Sequence, residues 1–300
     1  MKLCYWKKAD EVPNFGDVLN PYIFEKLLPG TFDDDANTIF VGIGTLLEKG
    51  MGEALNIPAP LLANDEPLSK WIVVFGSGAG YYDPPTMDSR WKIYAVRGPL
   101  TADLLGLDPK CAVADPAILI RRLYRGGALK KHKYSLMPHH SNAGPVLESI
   151  CNEIGIHYIN PLSPVPSILD AISGSETLLT EALHGAIVAD ALRTPWVPIR
   201  TTPSIFSFKW EDWCKSINLE YKPITTSNIL SQIWVNTPNP SFMGILKQKI
   251  KLTIAEKNLK GIALSAKPLL SKDNVIEGLT QELEHRLDLF REDAAKNLFS

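Results

Sequence analysis

Three hundred residues with 45% hydrophobic, 21% charged and 9% aromatic side chains describe a folded globular chain long enough for about two domains, and exclude a disordered one. A formal net charge of −2 excludes a global field for nucleic acid, so an anionic ligand has to be held by a local group of cations. The four cysteines, Cys4, Cys111, Cys151 and Cys214, are far apart with no C-x-x-C pair, and no apolar run resembles a signal peptide or a membrane span; the expectation is a soluble protein of the reducing cytoplasm.

In chain order, "KLCYW" predicts a first strand and "DVLNPYIFEKLL" a helix capped by Asp17 and closed by "LPG". The "DDD" at 33 to 35 reads as a solvated loop and not as a metal site. Two apolar strands then run straight into glycines, "TIFVGIGTLL" and "WIVVFGSGAG". "KIYAVRGPLTADLLG" predicts strand, turn and helix, with Pro99 in the first helical turn and Gly106 at its end, and "CAVADPAIL" predicts another strand end. The basic stretch "RRLYRGGALKKHK" reads as a solvated linker.

The second half repeats the rhythm. "KYSLMPHH" is a predicted strand, "GPVLESICNEIG" a helix, "IHYINP" a strand, "PSILDAISG" a helix, "ETLLTE" a strand, "ALHGAIVADAL" a helix and "PWVPIR" a strand. Beyond "PSIFSFKWEDWCKSINL" the pattern loosens through "NTPNPSF" into C-terminal helices, the last carrying an apolar stripe of Val275, Leu279, Leu283, Leu287 and Phe290. Strands alternating with helices predict parallel βαβ units whose ligands sit at the carboxyl ends of the strands. The predicted architecture is α/β, with two Rossmann-like lobes facing a cleft over residues 1–125 and 126–235 and a helical extension over 236–300.

Several short constellations fall at those strand ends and helix starts. In "NFGD", Asn14 and Asp17 flank Gly16 before a helix, where a cap is one reading and a ligand contact the other. The "GSG" of Gly76, Ser77 and Gly78 admits close backbone approach to a ligand, or only a turn. Arg97 offers a fork to a carboxylate or phosphate, or forms a structural ion pair. His184 and Gly185 open the helix in "TEALHGAIVADAL", where unpaired N–H groups and the helix dipole favour anions; His184 is a candidate acid or base there, or else a cap or core residue. Of His139 and His140, alternation along an extended segment sends at most one inward, and His139 is preferred.

The order N-x-G-D, G-S-G, V-R-G-P, D-P-A, E-A-L-H-G-A and F-K-W, over about residues 5 to 215, resembles the polysaccharide pyruvyl transferase family, in particular its succinoglycan pyruvylation branch. The resemblance implies a GT-B-like fold and transfer of the enolpyruvyl carbons of phosphoenolpyruvate to a sugar as a ketal, with release of phosphate. It places His184 on the family's catalytic histidine and Arg97 on an arginine for the same ligand. Several members carry a basic residue where this chain has Ala182, and Lys209 in "FKW" is the candidate to supply that charge.

Phosphoenolpyruvate carries a carboxylate and a phosphate beside one reacting carbon, so its site needs several cations and N–H donors. The chemistry requires no metal and no organic cofactor. The implied partners are phosphoenolpyruvate and a glycan or lipid-linked acceptor at the inner face of the cytoplasmic membrane, and the apolar stripe of the last helix would be buried across the lobes, in a homo-oligomer or against membrane-associated machinery. Two other readings stand beside this one. A glycosyltransferase with a nucleotide sugar would be stabilised by uridine or guanosine diphosphate, and a non-catalytic scaffold would have an obstructed His184.

Overall fold

A computed structural model of the chain describes residues 1–6, 14–49, 70–126, 129–202, 205–226 and 242–299, and for 242–248 the backbone only. Part of the segment before the first helix, Gly127 and Ala128 of the basic stretch, and "NTPNPSF" up to Ser241, with the 235/236 boundary, lie outside those residues. The chain divides into two compact units. Unit 1 comprises Met1–Arg125, Ser207–Glu220 and Ser271–Ser300, and unit 2 comprises Gly126–Phe206 and Tyr221–Leu270.

Unit 1 is built on a parallel sheet of β1 (Lys2–Cys4), β2 (Thr38–Val41), β3 (Trp71–Phe75) and β4 (Trp91–Ala95), in the order β1-β2-β3-β4. The runs of Ile, Val and Phe in β2 and β3 are almost wholly buried, as parallel strands covered on both faces demand. Helix α1 (Phe15–Leu27) connects β1 to β2. Its N-cap is Asn14, not the expected Asp17: the Asn14 side chain accepts from the Asp17 N–H and donates to the Asp17 carboxylate. Asp17 thus fills the third helical position, where a carboxylate favours the positive helix end. Further along, Pro21 has no N–H to give the Asp17 carbonyl. The buried Asn20 amide supplies that donor at 3.2 Å, and exchanges bonds of 2.9 and 2.8 Å with the backbone of Ile43.

Helix α2 (Pro99–Leu104) starts on its proline and is followed by Gly106 at φ +63°, as expected. "CAVADPAIL" departs from expectation. Ala112 makes a single bridge to Val96 between two 3₁₀ turns, Pro109–Cys111 and Pro116–Leu119, because the Asp108 and Asp115 side chains accept from the N–H two residues on, each with a proline between. The short helix α3 (Ile120–Leu123) puts Arg121 and Arg122 against Glu277, and Arg122 also against Glu284, so this end of the basic stretch is a structural tie and not a solvated connector.

Unit 2 carries β5 (His132–Met137), β6 (His157–Tyr158), β7 (Ser175–Thr180), β8 (Trp196–Arg200) and β9 (Ile224–Thr225), all parallel in the order β6-β5-β7-β8-β9. This is a doubly wound order. The chain leaves β5 towards β6 on one side and leaves β7 towards β8 on the other, so the strand order reverses between β5 and β7. Among the described residues the first sheet keeps its strands in sequence order. Helices α4 (Pro145–Glu153), α5 (Val165–Ser173) and α6 (Leu183–Ala191) follow β5, β6 and β7 in turn.

The remaining helices divide between the units. Helix α7 (Ser207–Ser216) belongs to unit 1, α8 (Phe242–Ser265) to unit 2 and α9 (Asp273–Ala295) to unit 1. The buried stripe of α9 is Ile276, Thr280, Leu283, Leu287 and Phe290, whereas Val275 and Leu279 are only partly buried. Steps of four residues alone drift around a helix, and alternating steps of four and three keep to one face. The stripe is taken up inside unit 1, where Phe290 packs edge-on against Phe40 and Tyr94. Among the described residues no helix is long and apolar enough to cross a membrane.

Candidate functional site

The reversal of strand order in unit 2 separates the connections leaving β5 and β7, and the crevice at their carboxyl ends is where doubly wound sheets take ligands. Met137 and Thr180 are paired at those ends. The Thr180 hydroxyl accepts from the Ala182 N–H and donates to the Ala182 carbonyl, both at 3.0 Å, which folds the chain sharply from β7 into α6. Gly185 is needed for that turn to seat: a Cβ there would lie 2.7 Å from Thr180 Oγ1 and 2.9 Å from Met137 Sδ. His184, partly buried, is thereby set in the first turn of α6, whose N-cap Ala182 gives no side-chain bond to the N–H groups behind it.

Beside it lies a carboxylate that the sequence reading passed over. Glu181 is 1% exposed and accepts from the Thr201 N–H at 2.6 Å, the Asn142 amide at 3.0 Å and, more weakly, the His139 N–H at 3.4 Å. One side chain therefore ties together the segments following β5, β7 and β8. The only sequence signal was an acidic residue at the mouth of an apolar helix, and its partners Asn142 and Thr201 had none.

His139 and His140 do not alternate. His139 caps a 3₁₀ turn over His140–Asn142, and the two rings lie 4.2 Å apart. The chain has left the extended conformation, so the argument from alternation no longer applies. His139 is the more buried, and its Nδ1 is 2.8 Å from Ser141 Oγ.

The other predicted residues gather at the carboxyl edge of the first sheet. Arg97, following β4, is 1% exposed: its Nε donates to Asp212, Nη1 to Thr45 Oγ1 and Nη2 to the Ala79 carbonyl. A buried guanidinium needs such a partner, and Asp212 on α7 is itself fully buried. The same carboxylate accepts from the Leu100 and Thr101 N–H groups and the Thr101 hydroxyl, capping α2 where Gly98 has no side chain to do so. Of the two readings of Arg97, this arrangement is the structural ion pair.

It also accounts for the glycines. A Cβ on Gly78 would lie 2.2 Å from the Arg97 guanidinium carbon, and one on Gly76, at φ +81°, 2.3 Å from Pro116. Ser77 donates to the Gly44 carbonyl and accepts from the Leu46 N–H, clasping the two glycine loops together. Lys209 stands on α7, between β8 and β9 in the chain and not after the last strand, with its ammonium 2.7 Å from the Tyr81 hydroxyl. Glu48 accepts from the Tyr81 N–H nearby; burial raises its carboxyl above the usual range, against the lowering pull of the Tyr81 and Tyr82 N–H groups and Arg97. Asn14 and Asp17 hold each other at the start of α1. The acidic run at 33 to 35 is an exposed loop, with Asp33 paired to the N-terminal ammonium. None of the four cysteines is in a disulfide, and burial pushes Cys4 and Cys151 up to about 12.

Residues 14–203 match the family model described as polysaccharide pyruvyl transferase. The chain is also 36% identical over 227 residues to the succinoglycan biosynthesis protein ExoV of Rhizobium meliloti (strain 1021), an alignment covering 74% of this chain and 67% of that protein.

Proposed function

Because the chain belongs to the polysaccharide pyruvyl transferase family, we propose that it transfers the enolpyruvyl carbons of phosphoenolpyruvate to a sugar of a surface polysaccharide or its lipid-linked precursor, with GT-B-like units and a cytoplasmic site of action. The observation carrying this reading is the position of His184, in the first turn of α6 at the point where the strand order of unit 2 reverses.

The reaction needs a proton at the methylene carbon of the donor, which leaves the adjacent carbon cationic. A sugar hydroxyl attacks that carbon and gives up its proton; a second hydroxyl then displaces phosphate, which takes that hydroxyl's proton as it leaves, and the ketal closes. In this reading His184 delivers the first proton or accepts the hydroxyl's, and the N–H groups of Gly185 and its neighbours face the donor's negative charge. Glu181 and His139 shape the same strand ends. Lys209, the Asn14–Asp17 turn and the Gly76-Ser77-Gly78 loop are assigned to substrate binding, with Arg97 positioning that loop.

The test is phosphate release from phosphoenolpyruvate in the presence of fractionated glycan lipids. His184→Ala should lower turnover by ~10²- to 10⁴-fold. His184→Gln keeps a hydrogen-bonding side chain that does not titrate, so it should still be stabilised thermally by phosphoenolpyruvate while turnover fails. Near-normal turnover in folded His184→Gln refutes the assignment.

A further inference from the structure

Helix α8 of unit 2 has one face in the core and one in solvent, and the solvent face is unlike an ordinary charged surface. Ala255, Leu259 and Ala263 are buried in the cluster that includes Leu136, Leu179 and Val197. On the opposite side Ile250 is 53% exposed, Ile254 38% and Leu264 64%. With Lys257 and Gly261 these residues form a row in steps of four, three, four and three, one continuous face about 21 Å long at 1.5 Å per residue. Lys249 and Lys260 are exposed beside the row, and Lys267 is exposed just beyond the helix. The helix holds five lysines and one acidic residue, Glu256.

We propose that this face of α8 lies on an anionic lipid surface, with Ile250, Ile254 and Leu264 entering the boundary of the acyl chains and the lysines meeting the headgroups. The row argues against a second helix as its occupant. A helix–helix seam wants an apolar knob at every step, and here the two central steps are a lysine and a glycine. On a membrane surface Lys257 extends its stem along the apolar row and its ammonium into the headgroups, and Gly261 costs nothing. The excess of lysine over acid supplies attraction to negative lipid and gives none to neutral lipid. The proposal goes beyond the transfer reaction and does not rest on it. It places an attachment surface on unit 2 and assigns none to α9, whose apolar stripe is used up in unit 1.

The experiment is sedimentation of the full-length protein with vesicles of phosphatidylcholine alone and of phosphatidylcholine containing one third phosphatidylglycerol. Binding is expected to the anionic vesicles only, and to weaken as salt rises. Replacing Lys249, Lys257 and Lys260 with glutamine should reduce partitioning about five-fold per lysine, or ~10²-fold together. Ile250→Asp with Leu264→Asp should abolish it, with the melting temperature unchanged because both side chains are exposed. Equal binding to neutral vesicles, no binding to either, or wild-type binding by the substituted proteins overturns the proposal. A concentration-dependent dimer that the two aspartates dissolve, without vesicle binding, overturns it in favour of a second copy of the chain.

Discussion

Replacing Glu181 with alanine is the sharpest test of how the strand ends of unit 2 are held. The substitution removes the shared acceptor of two well-formed bonds, from the Thr201 N–H at 2.6 Å and the Asn142 amide at 3.0 Å, at a position 1% exposed. The His139 N–H at 3.4 Å adds little. A buried donor deprived of its acceptor costs about 1–3 kcal/mol, so two together cost about 2–6 kcal/mol. With an m-value near 2 kcal/mol per molar, a mid-range loss of about 4 kcal/mol lowers the urea midpoint by roughly 2 M. Glu181→Gln keeps one oxygen for Thr201 and turns an NH₂ group towards donors, so its loss should be about half as large. Urea titration by fluorescence reads both. An alanine variant with the wild-type midpoint would refute the reasoning, since the three segments would then be held by something else.

Asp212→Ala strands Arg97 as a buried cation and uncaps α2, and should cost about 3–5 kcal/mol in the same titration; Gly78→Ala, which drives a methyl into the guanidinium, should lower the midpoint in the same direction. The rings of His132 and His157 stack 3.8 Å apart, and burial first, then His132, lowers the His157 imidazole below 6.5. A group with a depressed folded-state pKa that is neutral when deprotonated contributes stability above the unfolded pKa and loses it as pH falls through the folded one. Thermal melts should therefore show a decline below pH ~6.5 that His157→Phe flattens. Phe290→Ala removes the α9 ring packed on Phe40 and Tyr94 and should cost about 3–5 kcal/mol; a loss under 1 kcal/mol would show that the helix is not part of the unit 1 core.

What the sequence disclosed follows the range of the interactions concerned. Strands β2 and β3 are continuous apolar runs ending in glycine, and α6 begins at a histidine followed by a glycine; both patterns are local and both were legible. The cap of α1 was misread by three residues because Asn14 and Asp17 are both good caps, and only the bond between them shows which one stands outside the helix. The role of Arg97 was not decidable, since its partner lies 115 residues away on a helix with no local mark of it. Glu181 and the reversal of strands in unit 2 were missed for a related reason. A burial state and a sheet order belong to tertiary packing, and no periodicity in one segment encodes them.

Unit 1 is made of three stretches of chain, and this sets the order in which the protein can be completed on the ribosome. Arg97 emerges 115 residues before Asp212, and Thr38 emerges 261 residues before the Phe299 carbonyl to which its hydroxyl bonds. At ~5–20 residues per second, the arginine waits roughly ten seconds in water for its carboxylate. Strands β5 to β8 of unit 2 lie in the single stretch 126–206, so they can pair while unit 1 still lacks α7 and α9. The unit whose residues come first in the chain is thus the one that closes last.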